Sequence, residues 1–168
     1  DNAERGFSYR FDGPLDMRMD STQEKTASHL LNNLDRAELK AIIESNSDER
    51  FAARIATSIV ENRPIGNTLE FAELVKNAIP AAARRRGGHP AKRTFQAIRM
   101  EVNKERSELT QGLAASIARL KPRGCGIVIS YHSGEDRIVK ELFRNVVTGG
   151  CECPSKLPCV CGAVRKGQ

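Results

Sequence analysis

Several features that would assign this chain of 168 residues to a class at once are missing from it. No apolar run approaches the roughly 18 residues that a membrane span needs, so we expect no membrane-spanning segment. The first residues, DNAERGFSYR, contain no apolar stretch of the secretory-signal type, so we expect no secretory signal there. They also contain no initiator Met, so we expect a processed or cut chain. Five cysteines without such a signal, among 29% charged residues, predict a reducing, cytoplasmic compartment.

Acidic residues are absent from residues 74–100, which hold seven Lys or Arg. The remainder of the chain carries 20 bases and 21 acids, so this stretch supplies the whole excess in the net charge of +6. Positive charge concentrated in this way attracts polyanions, of which nucleic acid is the commonest. The alternative is an exposed basic loop that binds nothing.

The centre of the basic stretch combines arginines, glycines and a predicted helix start. Two adjacent glycines allow the backbone to approach a phosphate closely, and Pro90 suits the first turn of the helix that follows. Cations in that first turn oppose the helix dipole, and a bound anion would remove the conflict. The predicted nucleic-acid-binding residues are Arg84, Arg85, Arg86, Gly87, Gly88, His89, Lys92 and Arg93.

Hydrophobic periodicity predicts a bundle of three or four helices over residues 21–80, with N-caps at Asp35, Asp48 and Thr68. Helical patterns resume over residues 90–120. The apolar run at 127–129 then predicts a buried strand of the parallel-sheet kind, followed by another helix. This order indicates an α/β fold of the doubly wound type, although one strand cannot form a sheet by itself.

Two further segments carry polar groups that suit a site. The segment SYHSGEDR follows the predicted strand, at the sheet edge where α/β proteins bind ligands. The alternative there is capping alone, with Ser133 as N-cap and Asp136 completing a capping box. Residues 1–20 are dense in Arg, Asp and aromatic side chains, which fits either a site-lining loop or plain packing.

Four of the cysteines lie in CECPSKLPCVC, as two Cys-x-Cys pairs at Cys151, Cys153, Cys159 and Cys161. Four thiolates this close could bind zinc, but zinc sites usually place two or more residues between paired cysteines. Free thiols in a proline-bounded turn are the alternative, and we predict no metal.

Three long stretches, AERGFSYRFDGPLDMRMD, RRRGGHPAKRTFQAIRMEVNKE and LKPRGCGIVISYHSGEDRIVKELFR, resemble the bacterial 16S ribosomal RNA cytosine-N4 methyltransferase family. The cysteine segment resembles that family too. The resemblance implies a partial class I (Rossmann-like) methyltransferase core with an inserted all-helical domain, helix-dominated overall. Residues 1–20 and 94–168 would belong to the core, and residues 21–93 to the insert.

The resemblance also implies the activity and its partners. The family uses S-adenosylmethionine to methylate the exocyclic amine of a cytidine in the decoding region of the small ribosomal subunit, so 16S ribosomal RNA would be the substrate. A homodimer stays open. Asp12 and Asp16 would accept the amine N–H, and Arg10 and Arg18 would hold phosphates. The implied substrate-pocket residues are Gly13, Pro14, His132, Ser133, Asp136 and Arg137.

The sequence departs from the family where the cofactor would bind. It contains neither a G-x-G-x-x-G turn nor a DPPY-type motif. We therefore expect an internal fragment that alone neither binds S-adenosylmethionine tightly nor methylates, with the earlier strands upstream and the last strands downstream. Two alternatives remain: a non-catalytic RNA-binding helical adaptor and a zinc-stabilised interaction module.

Overall fold

A computed structural model describes residues 3–84, 88–150 and 153. Over these residues the chain is helical, and its only β pairing is an isolated bridge between Pro14 and Asn67. A short 3-10 turn at Ala3–Arg5 precedes the described α-helices: α1 (Ala27–Asn33), α2 (Arg36–Asn46), α3 (Ala52–Glu61), α4 (Thr68–Ala78), α5 (Ala81–Arg84), α6 (Lys92–Val102), α7 (Glu105–Ala118) and α8 (Ser133–Thr148).

The chain divides into two compact units, Asp1–Lys104 and Glu105–Gln168. In the first unit, α2 packs against α3 and α6, and α3 packs against α4. One apolar core joins these helices to the N-terminal loop, since Leu15 and Met17 are as fully buried as Ile43, Ile55 and Phe71. The predicted domain boundaries at 20/21 and 93/94 do not coincide with this division, and they stay predictions about a larger protein.

The helix boundaries of the first unit follow local capping chemistry. Asp35 caps α2 as predicted, and Glu38 completes a capping box with it. The other two predicted caps are wrong. Asn67, not Thr68, accepts from the backbone of α4, and Asp48 lies before a turn that delays the start of α3 to Ala52.

Buried and partly buried hydrogen bonds attach the N-terminal loop to the helices. The side chain of Thr68 donates to the carbonyl of Phe11 at 2.6 Å, while its N–H donates to Gly13 at 3.0 Å. At the end of α6, the Asn103 amide donates to the Met17 carbonyl at 2.7 Å and accepts from the Met19 N–H at 2.6 Å. These bonds hold residues 11–19 in one conformation, in which Met17 has a positive φ of 58°.

The N-terminal loop also requires a glycine at Gly6. Its φ is +67°, and a Cβ built there would lie 1.9 Å from the carbonyl oxygen of Pro14. The backbone at Gly6 therefore lies too close to the backbone at Pro14 for any residue with a side chain to replace the glycine.

The second unit is a helical hairpin in which α7 packs against α8. The predicted buried strand at 127–129 is not formed: this segment is irregular, with Ile127 86% exposed and Ile129 76% exposed. A buried strand needs neighbouring strands and covering helices, and the described part of this unit supplies neither. The described residues therefore form a helix-rich fold and not the predicted α/β fold.

Candidate nucleic-acid interface

The loop of residues 10–14 presents exposed polar groups above the start of α4. Asp12 and Pro14 are exposed, and Gly13 is half-buried. Arg10 is exposed as well, with its guanidinium 5.7 Å from the centre of the Tyr9 ring. All four residues have access to solvent. The roles predicted for them, catalysis for Asp12, the substrate pocket for Gly13 and Pro14, and phosphate binding for Arg10, stay predictions.

Asp16 and Arg18, by contrast, form a half-buried ion pair. The Asp16 Oδ1 accepts from Nε of Arg18 at 2.6 Å, and Oδ2 accepts from Nη2 at 3.0 Å. The remaining guanidinium nitrogen donates to the carbonyls of Ser21 and Gln23. The hydrogen bond from Arg18 holds the pKa of Asp16 below its usual value. The predicted amine acceptor and the predicted phosphate ligand are therefore each other's partners in this structure.

Arg84, the first of the three predicted connector arginines, caps the end of α4. Its Nε donates to the Ile79 carbonyl at 2.7 Å, and Nη2 donates to that of Asn77 at 3.2 Å. A cation at this end of a helix satisfies otherwise orphaned carbonyls and the helix dipole. Arg85, Arg86 and Gly87 lie outside the described residues, and Gly88 is exposed.

His89 forms the outer end of an aromatic ladder that consists of His89, Tyr9, Phe95 and Phe71. Its ring stacks on Tyr9 with centroids 4.4 Å apart and planes at 19°. Tyr9 meets Phe95 edge-on, and Phe95 stacks on the fully buried Phe71. Partial burial, together with Arg10 and Lys76, lowers the pKa of His89 and so favours the neutral imidazole. Its Nδ1 accepts from the N–H of Ala91 at 3.2 Å, which leaves the ring proton on Nε2.

A cavity of about 320 Å³ adjoins His89, between the turn that precedes α3, the end of α4 and the start of α6. Lys92 and Arg93 line it as exposed side chains in the first turn of α6, which has no side-chain N-cap. Arg93 donates a long bond of 3.4 Å to the Asp48 carbonyl. The lining residues are Glu49, Arg50, Phe51, Ile79, Ala83, Arg84, Gly88, His89, Pro90, Lys92, Arg93 and Gln96.

One wall of this cavity, formed by Glu49, Arg50 and Phe51, has no counterpart among the residues predicted from the sequence. In the sequence Arg50 stands beside Asp48 and Glu49, so its charge is cancelled locally and gives no signal. In the structure Glu49 is 8% exposed, and its Oε1 accepts from the N–H of Phe51 at 2.9 Å. This turn thereby brings a cation and an aromatic ring to the basic connector from a distant part of the chain, which no local pattern reveals.

The predicted substrate-pocket residues of SYHSGEDR lie in the second unit, at the start of α8. Ser133 is not the N-cap: His132 takes that position, and its Nδ1 accepts from the N–H of Glu135. The His132 Nε2 lies 3.1 Å from the Glu135 carboxylate, although that contact lacks hydrogen-bond geometry. Asp136 pairs with Lys140 at 2.7 Å, and Arg137 is exposed. The predicted cap at Ser133 with Asp136 is therefore wrong, since His132 caps α8 instead, and the ligand role of the segment stays a prediction.

The cysteine segment contributes one described residue, the half-buried Cys153. Cys151, Cys159 and Cys161 lie outside the described residues, so the zinc alternative does too. Across the described positions, no group of three or more His, Cys, Asp or Glu side chains is placed to hold a metal ion.

Residues 1–167 match the model of the family described as MraW methylases. The chain belongs to this family. It is 50% identical over 170 residues to the ribosomal RNA small subunit methyltransferase H of Halothermothrix orenii, covering 99% of this chain and 54% of that protein. The enzymes of the same name from Pelobacter propionicus and Geobacter sulfurreducens are 52% and 50% identical, over 96% and 98% of this chain and 53% and 54% of their own lengths.

The family predicted from the three sequence stretches is thus confirmed. The chain spans about half the length of the curated relatives that it matches. None of the described helices is both long enough and apolar enough to cross a membrane.

Proposed function

We propose that this chain supplies the RNA-binding surface of an S-adenosylmethionine-dependent methyltransferase acting on the N4 amine of a cytidine in 16S ribosomal RNA. The observation that carries this proposal is the basic cavity of the first unit, in a chain whose relatives are named as small-subunit ribosomal RNA methyltransferases. Such an enzyme works in the cytoplasm, on the small ribosomal subunit or its RNA.

The basic groups suit the phosphate backbone of RNA. Lys92 and Arg93 reach solvent from the first turn of α6, and Arg50 lines the same cavity from the turn before α3. Cations that contact phosphates provide affinity and position without reading the sequence, and they make binding depend on salt.

The described residues do not fit the cofactor. S-adenosylmethionine sites of the class I type use a glycine-rich turn and an acidic residue after strands, and the described part of the chain contains no strand that could carry them. We therefore assign cofactor binding to the portion of the relatives' length that this chain does not span. Titration calorimetry of this chain with S-adenosylmethionine should show no binding at micromolar concentrations, and a micromolar dissociation constant would contradict the assignment.

Of the two carboxylates proposed to accept the amine N–H, Asp12 is the better placed. It is exposed, whereas both oxygens of Asp16 accept from Arg18. A cytosine N4 lone pair is delocalised into its ring, so an acceptor that takes the N–H makes the nitrogen a better nucleophile. In the whole enzyme, Asp12→Asn should reduce kcat more than it raises KM, because the acceptor acts during reaction rather than in binding.

RNA binding can be tested on this chain with a decoding-region fragment of 16S ribosomal RNA. Fluorescence anisotropy at several salt concentrations should give a linear log–log plot. The double variant Lys92→Gln/Arg93→Gln should make its slope shallower by about 0.7 for each phosphate that is no longer neutralised. The matched control is Arg54→Gln, which removes one charge from an exposed position of α3 that does not line the cavity. No RNA binding, or an unchanged slope in the double variant, would refute this surface.

A non-catalytic RNA-binding adaptor is the second candidate, and the independence of the first unit favours it. That unit has its own apolar core and its own basic cavity, so RNA binding there needs no cofactor. Methyl transfer from labelled S-adenosylmethionine to small subunits, measured with a protein of the relatives' full length, separates the two functions.

A further inference from the structure

The cavity beside His89 has the dimensions and walls of a site for one nucleotide. Its volume of about 320 Å³ is close to the lower end of small-molecule pockets. Its lining includes the apolar side chains of Phe51, Ile79 and Ala83 together with four basic side chains. Apolar side chains suit the flat base of a nucleotide, and basic side chains suit its anionic phosphate.

The basic part of the wall includes cations that are not neutralised within the described part of the chain. The side chains of Arg50 and Lys92 make no hydrogen bond or ion pair with any described residue, whereas the Arg84 guanidinium donates to carbonyls at the end of α4. Glu49, the one carboxylate that lines the cavity among the described residues, is buried and accepts from the Phe51 N–H. The described lining therefore holds four basic side chains and one carboxylate, and a phosphate would offset this excess of positive charge.

His89 lines the cavity, and one face of its ring is covered by Tyr9. Tyr9 lies 4.4 Å from the His89 ring centre and does not itself line the cavity, so it leaves the opposite face of the ring available for a further stacked ring. Tyr9 packs against one face of the His89 ring, and Phe95 in turn packs edge-on against Tyr9. The hydrogen bond from the Ala91 N–H fixes the orientation of the His89 ring. A pre-oriented ring that ends a stack at the surface binds a further flat ring with little loss of conformational entropy.

We propose that this cavity binds one unstacked nucleotide of single-stranded RNA, with the base stacked on His89 and the phosphate held by Arg50 and Lys92. The inference rests on the proposed function, because it specifies what the RNA-binding surface recognises. Stacking on an aromatic ring beside a cationic groove is how proteins hold single strands without reading their sequence. The bound nucleotide is a positioning contact and need not be the cytidine that is methylated.

The test compares a fluorescein-labelled cytidine hexanucleotide with an abasic hexamer of the same ribose-phosphate backbone. The wild-type chain should bind the hexanucleotide at least about fivefold more tightly, the low end of the stacking contribution of one base. His89→Ala should remove most of that difference, and His89→Phe should retain it because the phenyl ring also stacks. The matched control is His29→Ala, which removes an exposed histidine from α1.

The phosphate part of the proposal has its own variants. Arg50→Gln and Lys92→Gln should weaken binding of both hexamers by the same factor, while Arg54→Gln should leave both unchanged. Thermal melting of each variant separates lost binding from lost folding, and all of these side chains are exposed.

Three outcomes would overturn the inference. If both hexamers bind equally well, or if His89→Ala and His29→Ala behave alike, no base stacks on His89, although the RNA-binding surface itself would stand. If neither hexamer nor the decoding-region RNA binds, the proposed function falls together with the nucleotide site.

Discussion

Asn103 connects the N-terminal loop to the helical core, and its removal should destabilise the first unit strongly. The side chain is 7% exposed and makes three short bonds, to the Met17 carbonyl, the Met19 N–H and the Arg99 carbonyl. The Arg99 carbonyl keeps its bond from the Asn103 N–H in an alanine variant, but the Met19 N–H loses the side-chain oxygen to which it donates. The buried Met17 carbonyl also loses its Asn103 donor, and one net hydrogen bond together with one buried unsatisfied group amounts to about 2–3 kcal/mol.

Asn103→Ala should therefore lower the Tm of the first unit by roughly 10–20 °C, since 1 kcal/mol shifts a domain of about this size by ~4–8 °C. The measurements are thermal denaturation and amide hydrogen exchange at Met19, which should become fast. Asn62→Ala is the matched control, because that exposed amide bonds only to a carbonyl one turn earlier in α3. Equal melting temperatures for the two variants, or a Met19 N–H that stays protected, would refute the reasoning.

Three further perturbations test other local features of the first unit. Gly6→Ala should destabilise it severely, because its Cβ would lie 1.9 Å from a backbone oxygen, while Gly88→Ala, with nothing within 4 Å, should be neutral in thermal denaturation. Asp35→Ala should cost about 1 kcal/mol in urea unfolding through loss of the capping box. Because the pKa of Asp16 is lowered in the folded state, this carboxylate stabilises the fold fully above its unfolded-state pKa, and the stabilisation is lost as pH falls through its folded-state pKa. Arg18→Gln should therefore make the free energy of unfolding depend less on pH on the acid side.

Features carried by local chemistry could be predicted from the sequence. The cap at Asp35 and the end of α4 before Pro80 follow from residue types alone. The cap at Asn67 could not be predicted in this way because Thr68, equally suited by type, donates its hydroxyl to the N-terminal loop instead. The prediction of a buried strand at 127–129 is wrong for a different reason. An apolar run of this kind becomes a buried strand only where other strands pair with it, and the described part of the second unit contains none.

In the candidate interface, too, some residues could be predicted from local sequence and others depend on tertiary packing. Lys92, Arg93 and His89 are predictable from charge density and a helix start. Arg50 is not, because its position opposite them depends on how the turn after α2 packs. The sequence shows Tyr9 only as one member of an alternating aromatic pattern, and its stacking on His89 is a tertiary contact between residues far apart in the chain.

The chain has no Trp and two tyrosines, and each compact unit holds one of them. Tyr9 is stacked against His89 in the first unit, whereas Tyr131 is 91% exposed in the second. The near-ultraviolet signal of tyrosine will therefore change with melting of the first unit and stay nearly constant for the second, because only Tyr9 exchanges an aromatic neighbour for water. Denaturation curves recorded by this optical signal report the stability of residues 1–104 alone, so a far-ultraviolet circular-dichroism curve of the whole chain need not superimpose on them.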